Sequence, residues 1–317
     1  MKKYKIVFTD AQTINGNEDN LKQFCDFGEI KLYNNLTSAQ ITEYEPDAEI
    51  IVANKTLITA DVINNMPHLK LITILATGYN NVDTATAAKR GIPVCNAGQY
   101  STDSVAQHVF SFILNHTNRV GEFDKRVKNG DWEKSEVFCL LDDRMTELKG
   151  KTLGIFGYGS IGRKVGEIAC AFGMNVIVTT RTKRDDGTHY VSFDELLEKS
   201  DFITVHCPLT PQTKKIFNAG AFAKCKSNCM FINTSRGGTV DEQALADALN
   251  SGKIAAAAVD VLEKEPMSGS CPLKTAKNIT FTPHVAWAAK ETRQRLVDIV
   301  YKNIEGFVNG NVINKVN

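Results

Sequence analysis

Apolar residues in this chain come in short runs, and each run is followed by a stretch with helical spacing. The first third has β-rich runs at Lys5–Thr9, Glu29–Tyr33, Glu49–Ala53, Leu71–Leu75 and Pro93–Cys95. Helix-like stretches lie between them at Asn17–Phe24, Ser38–Tyr44, Thr59–Asn65 and Val82–Lys89. Strands that alternate with helices across short loops predict a parallel sheet covered on both faces. A longer helix is predicted over Thr102–Asn118, with Val105, Val109, Phe112, Ile113 and His116 near one face and Asp103 and Ser104 at its start. The charged stretch Lys125–Arg144 has no clear period and reads as an irregular connection, a lid or an interface segment.

A second alternating unit begins at Gly150. Its strands are Thr152–Phe156, Val176–Thr180, Phe202–His206, Met230–Asn233, Ala255–Val259 and Ile279–Thr282. Its helices are Ile161–Phe172, Phe193–Lys199, Ala219–Lys224 and Glu242–Ser251, the last opened by Asp241 and stopped by Gly252. Leu296, Val300, Ile304 and Phe307 mark a final amphipathic helix over Lys290–Asn309.

With 317 residues, two domains are expected. Lys+Arg is 37 and Asp+Glu is 36, so the strong basic bias of many nucleic-acid binders is missing. No run approaches the ~20 apolar residues of a membrane span, and the N-terminus lacks the apolar core of a signal peptide. Eight Cys without a CxxC pair are expected to be buried thiols in a reducing cytoplasm, with Cys225 and Cys229 as helix neighbours and no metal site.

The chemistry starts at Leu153-Gly154-Ile155-Phe156-Gly157-Tyr158-Gly159-Ser160-Ile161-Gly162. This is G-x-G-x-x-G between a strand and a helix, the context that gives the motif meaning. Gly157 allows the tight turn, Gly159 admits a pyrophosphate, and Gly162 lets the helix pack close to the strand. The helix N-terminus supplies N–H groups for the anion. The acidic residue expected after the second strand is replaced by Thr180, with Arg181 next and Lys183 and Arg184 nearby. A carboxylate there would hold the ribose diol and repel a 2′-phosphate, whereas a guanidinium can pair with that phosphate. The pattern favours NADP(H) within an NAD(P)(H) reading, although a solvated basic loop would look the same.

Three ionisable residues follow three strands: Arg236 in Asn233-Thr234-Ser235-Arg236-Gly237, Glu265 before Pro266, and His284 in Thr282-Pro283-His284. Open α/β sheets bind ligands beyond the carboxyl ends of their strands. Arg236 can fork onto a carboxylate and polarise the adjacent carbonyl. His284 can supply a proton, and Glu265 can set its tautomer. Each alone also fits a structural role, and their shared placement joins them. His206 reads as adenine-side or packing. His68, His108, His116 and His189 show no partner pattern.

These residues resemble the D-isomer-specific 2-hydroxyacid dehydrogenase family over essentially the whole chain. The resemblance rests on Gly157–Gly162, on Asn233–Gly237, on Val259-Asp260-Val261 with Glu265-Pro266, and on Thr282-Pro283-His284. It implies a two-domain α/β protein. A flavodoxin-like substrate domain, 1–98 plus 287–317, would receive an inserted NAD(P)-binding Rossmann domain, 99–286, with the site between them and a homodimer as the assembly. It also implies substrate contacts at Thr77 and Gly78 in Leu75-Ala76-Thr77-Gly78-Tyr79, and at Asn54 and Lys55. Thr234 and Asp260 would meet the nicotinamide end. Ser160, Ile161, Cys207 and Pro208 would line the pyrophosphate and adenosine end. Trp287, shortly after His284, resembles the glycerate dehydrogenases, also called hydroxypyruvate reductases. The expected substrate is then a small 2-keto or 2-hydroxy acid, with hydroxypyruvate reduced to D-glycerate and glyoxylate as a further substrate. A D-lactate-type reductase and a nucleotide-sensing, corepressor-like binding protein remain open at this point, because fold alone does not decide function.

Overall fold

The computed structural model describes residues 3–14 and 21–317. The chain divides into two compact units, one running to Ser101 and resuming at Ala288–Asn317, the other Thr102–Trp287. No helix among the described residues is long and apolar enough to cross a membrane.

The first unit carries β1 (Tyr4–Phe8), β2 (Gly28–Leu32), α1 (Ser38–Tyr44), β3 (Ile50–Ala53), α2 (Ala60–Asn64), β4 (Leu71–Ile74), α3 (Thr84–Lys89) and β5 (Val94–Cys95). Its sheet has the order β2-β1-β3-β4-β5, and every pairing is parallel. That is the flavodoxin-like order, whose reversal lies between β1 and β3. β3 and β4 are buried along their whole length, as a strand covered on both faces requires. Side-chain oxygens open the helices: Thr37 makes a capping box with Gln40, and Thr59 and Asp83 accept the N–H groups of Val62 and Thr86.

The second unit opens with α4 (Thr102–Asn118), which stops where Arg119 turns left-handed at φ 53°, and continues as α5 (Val120–Lys128). It then alternates through β6 (Thr152–Phe156), α6 (Ser160–Ala171), β7 (Asn175–Thr179), α7 (Phe193–Lys199), β8 (Phe202–Val205), α8 (Ala219–Lys224), β9 (Met230–Asn233), α9 (Glu242–Asn250), β10 (Ala256–Val259) and β11 (Ile279–Phe281). The six strands are parallel in the order β11-β10-β9-β8-β6-β7. An apolar core fills each face of this sheet. One is built around Phe217, Phe222 and Phe231, the other around Val109, Ile113, Ile155 and Val165.

The chain closes with α10 (Lys290–Val308), which belongs to the first unit. Its buried Asn303 donates to the Thr73 hydroxyl at 3.2 Å and to the Asn96 carbonyl at 3.0 Å, tying the last helix to β4.

The parallel α/β architecture matches the expectation from the alternating pattern. Four local expectations change. Cys25 and Cys170 are exposed and not buried. The start of Lys125–Arg144 is helical, because α5 runs to Lys128; it buries no residue, so no core-facing stripe announced it. Cys225 caps α8 and Cys229 precedes β9, so the two are buried loop neighbours and not helix neighbours. Of the helix expected at Asn17–Phe24, residues 17–20 lie outside the described residues; a 3₁₀ helix spans Lys22–Asp26.

Candidate active site

Because all strands of the second unit are parallel, their carboxyl ends share one edge. Along that edge the loops follow in spatial order. His284 comes after β11, Asp260 and Glu265 after β10, Thr234 and Arg236 after β9, Cys207 and Pro208 after β8, the glycine turn after β6, and Thr180 and Arg181 after β7.

His284 and Glu265 meet directly. The imidazole Nδ1 lies 2.6 Å from Glu265 Oε2, and the other carboxylate oxygen accepts the Leu262 N–H at 2.9 Å. The side chains are 24% and 36% exposed, so solutes can reach both. A carboxylate on Nδ1 fixes the ring and leaves Nε2 as the atom able to exchange a proton with a substrate.

Arg236 is placed by its loop. The buried Asn233 side chain donates to the Arg236 carbonyl at 3.0 Å and accepts from the Ser235 N–H and hydroxyl at 3.0 and 2.9 Å. Thr239 also donates to the Arg236 carbonyl, at 2.7 Å. The guanidinium is half-buried and donates to the Ser235 carbonyl at 2.7 Å. Gly237 links this loop to the one carrying Glu265, since a Cβ there would lie 1.8 Å from the Leu262 carbonyl carbon. Two backbones approach in a way only glycine allows. Glu242 steadies the second loop further by accepting the Glu263 N–H at 2.7 Å.

Asp260 is buried, and its carboxylate is occupied. It accepts the Thr282 hydroxyl at 2.5 Å and the N–H groups of Val285 and Ala286 at 2.8 and 3.0 Å. It thereby closes the turn that presents His284, whose backbone is left-handed at φ 56°.

The β6 turn has the shape that a dinucleotide requires. Gly157 has φ 96°, and a Cβ there would strike the His206 carbonyl at 2.7 Å. A Cβ on Gly162 would lie 2.3 Å from the Gly157 oxygen, while open space surrounds the corresponding position at Gly159. α6 starts at Ser160 with no side-chain cap, so its first N–H groups are available to an anion. At the β9 end the Thr234 hydroxyl is buried without a hydrogen-bond partner, a vacancy that a carboxamide would satisfy. These features fit a nicotinamide dinucleotide. Ser160, Ile161, Cys207 and Pro208 flank the turn, and burial pushes the Cys207 thiol up to about 11. Desolvation pushes His206 down to about 3, so this ring, 2.8 Å from the Thr204 hydroxyl, is neutral and packs.

Thr180 is half-buried and Arg181, Lys183 and Arg184 are exposed. The nearby Asp186 accepts the Thr188 N–H at 3.2 Å and Arg163 at 2.9 Å, and the Thr188 side chain followed by the Arg163 guanidinium hold its carboxyl well below the usual range. Arg163 also lies over the Tyr158 ring.

In the first unit, Asp10 carries no local sequence signal. Its buried carboxylate accepts the N–H groups of Asn54 at 2.8 Å, Lys55 at 2.5 Å and Thr56 at 2.9 Å, shaping the loop after β3. The Asn54 side chain is buried against Thr13 at 3.0 Å, and Lys55 is exposed. Thr77 is exposed and donates to the Gly98 carbonyl, with Gly78 half-buried beside it. Trp287 is half-buried at the end of the second unit.

The family model for the NAD binding domain of the D-isomer specific 2-hydroxyacid dehydrogenases matches residues 110–286. The chain belongs to this family. A hydroxypyruvate reductase of Blautia hydrogenotrophica is 41% identical over 320 residues, covering 99% of each chain. A glycerate dehydrogenase of Methylorubrum extorquens is 38% identical over 315 residues, covering 98% of each. Among solved structures, an NADPH-dependent glyoxylate/hydroxypyruvate reductase from Sinorhizobium meliloti, in complex with NADP and malonate, superposes with a TM-score of 0.87 at 29% identity, covering 99% of this chain and 97% of that one. As a 2-hydroxyacid dehydrogenase, this chain is an NAD(P)-dependent oxidoreductase acting on the CH–OH group of its donors.

Gly237→Ala should disconnect the Arg236 loop from the Glu265 loop in this dehydrogenase. Forcing a methyl against a backbone carbonyl costs about 1–3 kcal/mol. The expected result is a lowered denaturation midpoint together with at least ~10-fold lower kcat, because displaced catalytic groups lose rate steeply. Wild-type kcat in this variant would show that the close approach does not govern the site.

Proposed function

We propose that this dehydrogenase reduces hydroxypyruvate to D-glycerate, and also accepts glyoxylate, with NADPH at least as effective as NADH. The single observation that carries the chemistry is the 2.6 Å His284–Glu265 pair on the strand edge that also bears Arg236. The substrate reading is supported by relatives named for hydroxypyruvate, glycerate and glyoxylate.

When bound, the nicotinamide supplies hydride to a carbonyl carbon. Ser160, Ile161 and the glycines of the β6 turn would hold the pyrophosphate, Cys207 and Pro208 the adenosine side, and Thr234 with Asp260 the nicotinamide end. Arg236 pairs with the substrate carboxylate and stabilises the charge that develops on the adjacent carbonyl oxygen. His284, oriented by Glu265 on Nδ1, delivers the proton from Nε2 to that oxygen. In the first unit, Asn54 with the exposed Lys55, and Thr77 with Gly78, are proposed as substrate contacts on the family resemblance. Trp287 shapes the substrate end.

Retention of an acid, its orienting carboxylate and a guanidinium in one row favours catalysis over a sensing role. A panel of 2-keto acids, followed by loss of 340 nm absorbance with each cofactor, tests the substrate. Pyruvate reduced faster than hydroxypyruvate would move the assignment to a D-lactate-type enzyme.

Arg236→Ala should lower kcat/KM by ~10²–10³, the usual cost of removing a charged donor from a developing oxyanion. Arg236→Lys should stay poor, since a point charge cannot reproduce the fork. Cofactor affinity, read by fluorescence titration, should change little in either.

The coenzyme preference follows from Thr180 and the exposed Arg181. Solvent and salt weaken such a contact, so a preference of about 10-fold for NADPH is expected. Thr180→Asp should swing the ratio of kcat/KM values towards NADH by restoring the carboxylate. Strong wild-type preference for NADH would overturn the assignment.

A homodimer is proposed from the stretch after α4. Val120, Trp132, Val137, Phe138, Leu141 and Met145 are all exposed, with Phe138 at 89% and Leu141 at 82%. Apolar side chains gathered in one segment mark an association surface. Sedimentation velocity should give a dimer for the wild type and a shift to monomer on Phe138→Asp with Leu141→Asp.

A further inference from the structure

Behind His284 lies a hydrogen-bond chain whose first two members, His108 and Thr282, have no part in the proposed chemistry. His108, on α4, places Nε2 2.9 Å from the Thr282 hydroxyl. Thr282 in turn is 2.5 Å from Asp260 Oδ1, the same oxygen that accepts the Val285 N–H. Asp260 Oδ2 takes the Ala286 N–H, and the Asp260 backbone carbonyl takes the His284 N–H at 2.8 Å. The Asp260 side chain is 1% exposed.

This chain has a single direction. A threonine hydroxyl has one proton, and a carboxylate only accepts. Thr282 therefore donates to Asp260 and must accept from His108. The proton of His108 sits on Nε2. Burial lowers the pKa of this ring more than the Asp260 charge raises it, which keeps the ring neutral with that single proton. The ring also packs edge-on against Phe112, at 4.7 Å between centroids.

The turn needs external support. His284 holds a left-handed backbone, a strained conformation for a non-glycine residue. α4 grips the turn at two points on one helical face: His108 holds Thr282, and Ser104, one turn earlier, donates to the Ala286 carbonyl at 2.6 Å.

We propose that His108 is a positioning residue for the reaction: its Nε2–H, acting through the Thr282 hydroxyl and the Asp260 carboxylate, sets the angle at which the 282–286 turn presents His284 to the substrate oxygen. This rests on the reading of His284 as the proton donor. His108 does not touch substrate. It determines how well the donor is aimed.

The test compares His108→Leu, which keeps bulk but has no donor, with His108→Gln, whose amide can still donate to Thr282. Thr282→Val breaks the next link. The readouts are kcat, KM for the keto acid, the solvent deuterium isotope effect on kcat at saturating NADPH, and the thermal midpoint. His108→Leu and Thr282→Val are expected to lose about 10-fold to 30-fold in kcat, as small misplacement of a catalytic group does. KM should stay within about threefold, and the isotope effect should rise as proton delivery becomes slower. His108→Gln should recover to within about threefold of wild type.

A fourth readout needs no turnover. Long-range ¹H–¹⁵N spectra of the wild-type imidazoles should show His108 as the Nε2–H tautomer. The proposal is overturned if His108→Leu keeps kcat within twofold, if His108→Gln is as impaired as His108→Leu, or if His108 carries its proton on Nδ1. Should His108→Leu not fold, the glutamine variant and the tautomer decide. A wild type inactive on every 2-keto acid would defeat the functional reading itself, whereas an active wild type indifferent to His108→Leu defeats only this proposal.

Discussion

Parallel pairing of every strand in the second unit is the constraint from which the site follows. A parallel ladder sends all carboxyl ends to one edge, and each crossover helix returns the chain to the opposite edge before the next strand starts. Six loops therefore open side by side along β11-β10-β9-β8-β6-β7. Residues far apart in the chain, from Gly157 to His284, become neighbours in a row. The glycine turn lies on β6, beside which the strand order reverses, where α/β sheets receive dinucleotides.

Strand ends bring the loops to the edge, but buried polar side chains give them their shapes. The buried Asn233 shapes the Arg236 loop and the buried Asp260 closes the His284 turn, while the half-exposed Glu242 and the Gly237 approach shape the Glu265 loop. Asp10 does the same for the loop after β3 in the first unit. Asn233, Asp260 and Asp10 are buried and each is held by several partners, which is the condition under which polar burial orders a structure and does not destabilise it. Arg236, Glu265 and His284 thus sit on loops whose shapes are set by polar groups hydrogen-bonded within the protein.

The two histidine–carboxylate associations on this edge differ in a way that suits two tasks. His284 meets Glu265 directly, with both side chains reachable from solvent. His108 reaches Asp260 only through Thr282, at 3.9 Å, with the carboxylate wholly enclosed. The first arrangement can exchange a proton with a solute. The second keeps its proton in a fixed bond, and its effect is geometric.

The chain itself specified the alternation of strands and helices, because burial on both faces of a parallel strand leaves a continuous apolar run and a packed helix leaves a 3.6-residue stripe. It also specified the glycine turn and the Arg236, Glu265 and His284 positions, since each is a local chemical pattern beside a strand end. It did not reveal α5, a helix that buries none of its residues and so leaves no stripe to read. Nor did it reveal Asp10, whose partners lie 44 to 46 residues away, or His108, whose partner Thr282 lies 174 residues away. A hydrogen bond between distant segments leaves no local period or motif. Only packing α4 against the strand edge brings the His108 ring to the turn it holds, so the tertiary structure alone decided that a histidine without a sequence partner stands behind His284.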